Sequence, residues 1–362
     1  MSKAAVHVAF DQPLEIRTDV EVAEPKEGEI KVRIAASGVC HSDLSVQNAT
    51  IPLPPPCVLG HEGAGVVEQV GPGVTAFAPG DHVVLTFVPQ CGECFFCQRG
   101  QGYLCEGGVK FNGGRRMTSG GQELTQMTEL GTFSDVTVVP AISAIKIDKD
   151  VPLKVAALLG CGVQTGVGAA INTADIKKGD TVAVIGCGGV GLNVIQGARI
   201  AGADRIIAID TMDSKLQMAK EFGATDFVNA SDGDPVAKVK ELTGGRGVDV
   251  AFEVIGLAPT IQQAMDMSRR GGETVLVGVP RFDVNLSLNA NFGVIMTAKT
   301  LKGCWYGSTN ASEDVPKLLD LYKKGELKLD ELISREIPLE QVNEAFEAMK
   351  KGEVARSVIV FD

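Results

Sequence analysis

The chain has 362 residues, of which 44% are hydrophobic and 5% aromatic, and its formal net charge at neutral pH is -11. A single hydrophobic core stops growing before this length, so we expect two domains. No stretch approaches the roughly 20 apolar residues that span a bilayer, and the negative charge, without any run of lysine or arginine, would repel phosphate backbones. Neither a membrane nor a nucleic acid is therefore expected as a partner.

The first ten residues, MSKAAVHVAF, lack the apolar core and the cleavage site of a secretory signal. We therefore expect a cytoplasmic protein without disulfides. The nine cysteines then remain as thiols or metal ligands.

The predicted elements change in character along the chain. Up to about residue 147, short apolar or alternating runs, such as 30–36 and 83–87, are separated by Gly, Pro and Asp turns, which predicts an irregular β-rich domain. From about residue 160, strands and helices alternate, which predicts an open, doubly wound parallel sheet. Its strands are predicted at 181–185, 205–210, 226–228, 249–254 and 273–277, and its helices at 191–201, 214–222, 235–243 and 259–268. Two amphipathic helices, 313–324 and 339–350, and a strand at 357–361 end the chain.

A cysteine quartet stands out in the run CGECFFCQRGQGYLC, at Cys91, Cys94, Cys97 and Cys105. Zinc takes four thiolates at about 2.3 Å, and closely spaced cysteines in a glycine-containing loop can wrap one ion. A chance grouping of surface thiols and an iron–sulfur cluster are the alternatives. Since the protein would fill all four positions, a zinc ion here is expected to be structural.

A glycine motif indicates a dinucleotide site. Gly186, Gly188 and Gly191 form GxGxxG directly after the apolar run TVAVI, and Asp210 ends the next run, IIAID. Such glycines let backbone N–H groups at a helix N-terminus approach a pyrophosphate. Asp210 can accept hydrogen bonds from ribose hydroxyls and would repel a 2'-phosphate, so we expect NAD rather than NADP. The alternative is that Asp210 only caps the next helix.

Three scattered residues form a second candidate metal set. Cys40, His61 and Cys161 each lie beside glycine or a small polar residue, in GVCHSD, LGHEGAG and GCGVQTG. Individually, each is more simply a buried thiol or a core histidine. Together they offer two sulfurs and one imidazole, with one metal position open. Asp43 is either the acceptor for the free N–H of His61 or a solvated turn carboxylate, and Glu62 is either an alternative ligand or an electrostatic neighbour.

Five segments occur in the order and approximate spacing of one family: GHEGAGVV, PQCGECFFC, GCGVQTG, GCGGVG and ARSVIVF. On these segments the chain resembles, over essentially its whole length, the zinc-dependent alcohol dehydrogenases of the medium-chain dehydrogenase/reductase superfamily. The resemblance implies an α/β protein with a GroES-like, β-rich catalytic domain from residues 1–162 and 306–362. It implies a Rossmann NAD-binding domain from residues 163–305.

The resemblance also implies two zinc ions per chain, one structural and one catalytic. The catalytic ion would be held by Cys40, His61 and Cys161, and Cys₂His is the known catalytic ligand set of alcohol dehydrogenases. It would act as a Lewis acid on the alcohol oxygen while hydride passes to NAD. Ser42 matches the hydroxyl that hydrogen-bonds the substrate oxygen, whereas Ser45 stands where many relatives have the histidine that completes the proton relay.

Further cofactor residues follow from the resemblance. His41 would touch the pyrophosphate, as a weaker cation than the arginine of some relatives, and Arg356 would do the same unless it is a plain surface charge. Contacts to the ribose, the nicotinamide or the phosphates are also expected from Thr165, Gly189, Val190, Lys215, Val277 and Val279.

The expected substrate is a primary alcohol with an aromatic or medium-length apolar tail, or its aldehyde. The resemblance places Phe87 and Trp305 in the substrate pocket, although Trp305 is equally compatible with a place in the core. The run KTLKGCWYGS resembles the strand through which relatives pair, so we expect a homodimer or a homotetramer.

Two other functions remain open. Arg115 and Arg116, in a predicted solvated loop from 106 to 126, could hold the carboxylate of a thiol adduct, as in a formaldehyde dehydrogenase. The alternative of another class is a zinc- and nucleotide-binding sensor without turnover, against which the intact set of catalytic ligands argues.

Overall fold

The computed structural model describes residues 1–108 and 114–361. The chain divides into two compact units, one made of Met1–Cys161, Asn310–Lys324 and Leu329–Asp362, the other of Gly162–Thr309 and Gly325–Lys328. Residues 162, 306–309 and 325–328, which the sequence assigned to the catalytic domain, thus group with the second unit. The hydroxyl of Tyr306 bonds to Nε2 of Gln164 at 2.7 Å, and the backbone N–H of Lys328 donates to the side chain of Gln196 at 2.7 Å.

The first unit is β-rich, as its alternating sequence predicts. Its first part contains the strands β1 Ser2–His7, β2 Glu15–Val22, β3 Glu29–Val39, β4 Cys57–Val58, β5 Glu62–Val70, β6 His82–Leu85, β7 Gly114–Ser119, β8 Gln122–Gln126, β9 Val136–Pro140 and β10 Ala144–Ile147. Two short helices belong to the same part, α1 His41–Gln47 and α2 Leu153–Ala157.

The second unit alternates helices and strands. In chain order these are α3 Gly162–Gly168, β11 Thr181–Ile185, α4 Gly189–Ala201, β12 Arg205–Asp210, α5 Asp213–Phe222, β13 Asp226–Asn229, α6 Pro235–Leu242, β14 Val248–Glu253, α7 Ala258–Met267, β15 Ser268–Leu276 and β16 Thr300–Gly303. The chain then returns to the first unit with α8 Ala311–Lys323, β17 Ile333–Ile337, α9 Val342–Lys350 and β18 Arg356–Val360.

Two sheets build the first unit. β1, β2, β7, β8 and β4 close into a barrel, and a second sheet runs β10-β6-β5-β3-β18-β17, with β9 also on β3. β18 pairs antiparallel with β3, Ser357 opposite Val39, so the end of the chain completes the sheet that its beginning starts. The two ends of the chain therefore form one domain.

The prediction of a solvated loop from 106 to 126 is wrong where the structure describes it. β7 and β8 form an antiparallel hairpin that takes part in the barrel. Met117 and Leu124 are buried there against Val6 and Val20. Each of the two strands has only one apolar residue on its buried face, and two glycines separate them. The sequence therefore shows too little alternation of apolar and polar residues to predict strands here. Residues 109–113 of the predicted loop lie outside the described residues.

The sheet of the second unit has the order β13-β12-β11-β14-β15-β16, with every neighbouring pair parallel. This is the doubly wound order in which nucleotides bind beyond the carboxyl ends of the strands. Its strands are apolar runs because helices cover both faces, and Ile185, Ile207 and Ala251 lie in its core. The predicted GroES-like and Rossmann α/β fold is confirmed.

Among the described residues, no single helix is long and apolar enough to cross a membrane. By length and composition alone, one bent pair of helices, Leu153–Gly160 with Gly162–Thr173, passes that test.

Candidate functional site

The four clustered cysteines lie around one point near the surface of the first unit. Their sulfur atoms are all within 4.8 Å of one another, and the Sγ atoms of Cys91 and Cys97, like those of Cys94 and Cys105, are 4.0 Å apart. A disulfide would bring two sulfurs to about 2.05 Å, whereas a tetrahedron of Zn–S bonds of 2.3 Å has edges of about 3.8 Å. The spacing therefore suits a tetrahedral metal ion whose positions are all filled by protein.

Asn310 fastens this cysteine loop to the start of α8. Its Oδ1 accepts hydrogen bonds from the backbone N–H of Gly102 at 2.9 Å and from Nε2 of Gln90 at 3.3 Å. Its Nδ2 donates to the carbonyl of Gly100 at 3.1 Å. Nothing in the sequence indicated this role, because Asn310 lies about two hundred residues beyond the loop that it holds.

The second cluster is buried in the same unit. One ligand atom from each of Cys40, His61, Glu62 and Cys161 lies within 4.8 Å of the others, and none of the four side chains is more than 8% exposed. Cys40 precedes α1, His61 and Glu62 lie at the start of β5, and Cys161 follows α2. The fold therefore brings together the scattered residues that the sequence proposed as one set.

Asp43 connects two of these ligands. Its Oδ2 accepts the backbone N–H of Cys40 at 2.9 Å, which caps the first turn of α1, and its Oδ1 accepts from Nδ1 of His61 and from the backbone of Gly60, both at 3.0 Å. Nε2 of His61 is buried and has no hydrogen-bond partner within residues 1–108 and 114–361. The imidazole thus presents a buried nitrogen that lacks a partner, as a metal ligand held by a carboxylate does.

The two thiols of this cluster have opposite pKa shifts, because the pKa of the Cys40 thiol is lowered and that of the Cys161 thiol is raised. A hydrogen bond from Cys161 holds the pKa of the Cys40 thiol well below its usual value, although burial opposes this shift and the charge of Arg356 supports it. Thiolate is the form of cysteine that binds metals. Two cysteine sulfurs, one imidazole and one carboxylate make a donor set that fits zinc.

Glu62 and Arg356 form a buried ion pair beside these ligands. Nη1 of Arg356 lies 3.2 Å from Oε1 of Glu62, and the two side chains are 6% and 0% exposed. Burial raises the pKa of Glu62 to about 7, while the charge of Arg356 opposes that rise. Arg356 is therefore not a plain surface charge. Gly38 permits this arrangement, because a Cβ there would lie 2.1 Å from Oε2 of Glu62.

Two of the other residues predicted for this site, Phe87 and Ser42, lie beside ligands of the cluster. The ring of Phe87 meets His61 edge to face, with centroids 5.4 Å apart, and Oγ of Ser42 lies 3.8 Å from Sγ of Cys40. Ser45 is partly buried in α1, and His41 is exposed at its start. Trp305 belongs to the second unit and is 38% exposed, so its alternative place in the core is excluded.

The glycine motif joins β11 to α4 in the second unit. Gly186 has a φ of +95°, and a Cβ on Gly191 would lie 1.8 Å from the carbonyl oxygen of Gly186, so both positions need glycine. A Cβ on Gly188 would meet no protein atom among the described residues within 4 Å. Since α4 begins at Gly189, with Val190 in its first turn, Gly188 leaves open space at the start of a helix, where a pyrophosphate fits.

Asp210 organises the turn after β12. Its Oδ2 accepts the N–H of Cys187 at 2.9 Å, its Oδ1 accepts those of Thr211 and Met212, and Nζ of Lys215 lies 4.0 Å away. The N-cap of α5 is Met212, so Asp210 is not a simple cap of that helix. Val277 is buried after β15, Val279 is exposed, and Thr165 is partly buried in α3.

Arg115 and Arg116 both have acidic partners. Arg116 forms an ion pair with Glu29, with Nε 2.8 Å from Oε1, and Arg115 meets Glu123 at 3.2 Å on the surface of the β7–β8 hairpin. The ion pair of Arg116 is partly buried, whereas that of Arg115 is exposed to solvent.

Comparison with known proteins agrees with this geometry. Residues 26–149 match the family model of the alcohol dehydrogenase GroES-like domain, and residues 189–324 match that of the zinc-binding dehydrogenases. The chain is 43% identical to alcohol dehydrogenase class-3 of Drosophila melanogaster, over 99% of this chain and 97% of that protein.

Solved structures are similar over the full length. An alcohol dehydrogenase zinc-binding domain protein from Burkholderia ambifaria shares 36% identity with a TM-score of 0.94, over 100% of this chain and 99% of that chain. Benzyl alcohol dehydrogenase from Acinetobacter calcoaceticus shares 32% identity with a TM-score of 0.93, with the same coverage. With a GroES-like unit that contains two candidate metal clusters and a Rossmann unit beside it in the sequence, the chain belongs to the zinc-dependent alcohol dehydrogenases of the medium-chain dehydrogenase/reductase superfamily.

Proposed function

We propose that this oxidoreductase interconverts a primary alcohol and its aldehyde with NAD, and that each chain binds one zinc ion in each cysteine-containing cluster. The observation that carries the proposal is the bridge of Asp43 between Cys40 and His61, which leaves a buried imidazole nitrogen beside two thiols. The aromatic edge of Phe87 against His61 favours an alcohol with an aromatic or medium-length apolar tail. The similarity to a benzyl alcohol dehydrogenase supports the aromatic end of that range.

The two cofactors would supply the reactive groups, and the side chains would bind and position them. A bound zinc ion supplies a Lewis acid for the substrate oxygen, and NAD supplies the acceptor for a hydride. Cys40, His61 and Cys161 would hold the ion, and Asp43 would keep the proton of His61 on Nδ1. Oγ of Ser42 would accept a hydrogen bond from the substrate hydroxyl and relay its proton, releasing its own hydroxyl proton towards the cofactor ribose as it takes up that of the substrate. Phe87 would exclude water from the apolar part of the substrate.

The preference for NAD rests on charge. Asp210 is 9% exposed and ends β12, the strand beside the glycine motif. A carboxylate at this position can accept hydrogen bonds from ribose hydroxyls but repels a 2'-phosphate. Lys215, 4.0 Å away, partly offsets this repulsion. We therefore propose a preference for NAD, and not an absolute exclusion of NADP.

Steady-state rates on the purified protein test this proposal. Benzyl alcohol and a medium-chain primary alcohol should reduce NAD with a higher kcat/KM than they reduce NADP. If only formaldehyde with a carboxylate-bearing thiol turned over, the enzyme would be the formaldehyde dehydrogenase alternative, which the acidic partners of Arg115 and Arg116 disfavour. If zinc and NAD bound but no alcohol or aldehyde reacted, the protein would be the sensor alternative.

We also propose that two copies pair through β16. This strand is at the edge of its sheet, where its only described neighbour is β15, and the loop before it exposes apolar side chains. These are Phe282, Phe292, Ile295 and Met296, between 59% and 80% exposed. An unpaired edge beside an apolar surface is typical of an interface between subunits.

None of the nine cysteines forms a disulfide, which fits the proposed cytoplasmic location.

Light scattering on the full-length protein tests the pairing. Ile295→Lys should convert the dimer, or a tetramer built from it, to smaller species. Ile142→Lys, an equally apolar surface position at 56% exposure in the other unit, should leave the mass unchanged. A monomeric native protein would refute the interface.

A further inference from the structure

A cavity of about 790 Å³ lies at the amino-terminal edge of the parallel sheet. Its walls come from the ends of α6 and α7, from the segment between α6 and β14, from the first residues of β14 and β15, and from the segment before β16. Because the strands are parallel, this edge is opposite the one that carries the glycine motif, at a distance of about 20 Å along a six-residue strand. The cavity is therefore separate from the proposed nucleotide site.

The charge of the cavity is opposite to that of the chain. Two acidic side chains, Asp249 and Asp266, line it, and the net charge of its titratable lining is therefore +3, whereas the chain as a whole carries -11. Its five cationic residues are Lys240, Arg246, Arg269, Arg270 and Lys299. An excess of one charge in a concave surface concentrates the field and attracts ions of opposite sign.

Most of these cations are not neutralised within the protein. Arg269 is engaged, because its Nε lies 2.5 Å from Oδ1 of Asp249. Lys240, Arg246 and Arg270 have no carboxylate within 4.0 Å in residues 1–108 and 114–361. The ammonium of Lys299 donates to the backbone carbonyl of Met265. Two guanidinium groups and two ammonium groups thus remain available to a ligand.

The environment of Lys299 is unfavourable for its positive charge. Burial lowers the pKa of its ammonium; Asp266 opposes that shift and the neighbouring Lys240 adds to it. A bound anion would relieve both the desolvation and the repulsion between the two lysines. Guanidinium groups, with their planar fork of N–H donors, suit the paired oxygens of phosphate and carboxylate.

We propose that this cavity is a binding site for a small multivalent oxyanion, such as an oligophosphate or a polycarboxylate. Several negative charges are needed to match four available cations, and a volume of about 790 Å³ is of the size that holds a small-molecule ligand. Among the residues that the structure describes, no aromatic side chain lines the cavity, so the recognition rests on charged groups and not on the stacking of a base. The proposal does not depend on the alcohol that the enzyme oxidises.

Calorimetric titration of the full-length protein tests the site. The titrations use pyrophosphate, tripolyphosphate and citrate in the presence of saturating NAD, which occupies the glycine motif and prevents these anions from binding there. We expect one site per chain, with an affinity that falls steeply as salt is added. Tighter binding of the two phosphates than of citrate would identify an oligophosphate site, and equal affinities would identify a site that recognises charge alone; both support the proposal.

Variants separate the site from general attraction to a protein surface. Arg246→Gln combined with Arg270→Gln removes two exposed guanidinium groups that have no carboxylate partner among the described residues, and should weaken binding at least 10-fold. Lys220→Gln, an exposed cation at the end of α5, should leave the affinity unchanged. The double variant should oxidise alcohol at the native rate without anion, which shows that it folds. The absence of binding for all three anions, or equal affinities in the double variant and Lys220→Gln, would overturn the proposal.

Discussion

Asp43 shows how one buried carboxylate can organise a metal site. It accepts hydrogen bonds from the backbone of Cys40, from His61 and from the backbone of Gly60, so it positions ligands that are about twenty residues apart. The first of these bonds also caps α1, so the same side chain stabilises the local structure that carries Cys40.

Asp43→Asn should therefore weaken the site without unfolding the protein. An amide retains the shape but loses the charge that fixes the tautomer of His61, and changes of this kind lower metal affinity or activity about 10- to 100-fold. Zinc retained after dialysis against a graded chelator provides a readout that is independent of turnover. Zinc retention and kcat/KM equal to those of the native enzyme would show that Asp43 does not support the metal.

His7 is a second residue whose environment has a measurable consequence. It is fully buried in β1, and neither ring nitrogen has a hydrogen-bond partner in the described part of the chain. Burial lowers the pKa of His7 below 6.5, the usual value of a histidine side chain. The unfolded chain therefore takes up a proton at a higher pH than the folded one, and folding stability falls as the pH drops from 6.5 through the lower pKa of the folded state.

His7→Leu should remove this part of the acid sensitivity. The difference in free energy of unfolding between pH 7 and pH 5, measured by denaturant titration, should be smaller in the variant than in the native protein. Leucine also suits the surrounding apolar side chains, such as Phe10, whose ring centroid lies 5.3 Å from that of His7. An unchanged pH dependence would mean that His7 is protonated equally in both states.

At the scale of elements, the turn from β11 to α4 offers a matched pair of glycines. Gly191→Ala places a methyl group 1.8 Å from the carbonyl oxygen of Gly186, a backbone atom that cannot move aside, and should destabilise the protein by about 3 kcal/mol. Gly188→Ala meets no described protein atom within 4 Å and should keep the native melting temperature. Its methyl group would instead occupy the space proposed for the pyrophosphate, and the Kd for NAD should rise about 10-fold or more. Unchanged NAD binding in Gly188→Ala would place the cofactor elsewhere.

Element prediction succeeded where the signal is local. Thr181–Ile185 and Arg205–Asp210 have the bounds that their apolar runs predict, because a strand covered by helices on both faces is a continuous apolar run. The hairpin of β7 and β8 was missed because its burial depends on barrel partners that are distant in the sequence. The predicted helix at 339–350 begins later, at Val342, because Leu339–Gln341 forms a 3-10 turn.

At the scale of the whole molecule, the resemblance to a family identified residues that the fold brings together, whereas two long-range contacts that support them were not predicted. Cys40, His61 and Cys161 meet because β3, β5 and α2 belong to one unit. Arg356 forms an ion pair with Glu62, and Asn310 forms hydrogen bonds with the cysteine loop. Both contacts join residues that are more than two hundred positions apart. No local pattern marks such contacts, since each depends on how the end of the chain returns to its beginning.

The two clusters should respond differently when a ligand is lost. Cys161 lies in a buried cluster that other packing holds in place, so Cys161→Ala should abolish turnover with a near-native melting temperature. Cys97 belongs to a loop near the surface that little packing holds in place and that a bound zinc ion would stabilise, so Cys97→Ala should lower the melting temperature first. Equal melting losses in the two variants would contradict this division.

The zinc content per chain, measured by mass spectrometry of the metal in dialysed native protein and in the two cysteine variants, tests the central claim most directly. We expect two zinc ions in the native chain and about one in each variant, since each variant spares the other cluster. A native chain with a single zinc ion, or a Cys161→Ala variant that keeps both, would contradict the claim that two separate sets of side chains bind zinc.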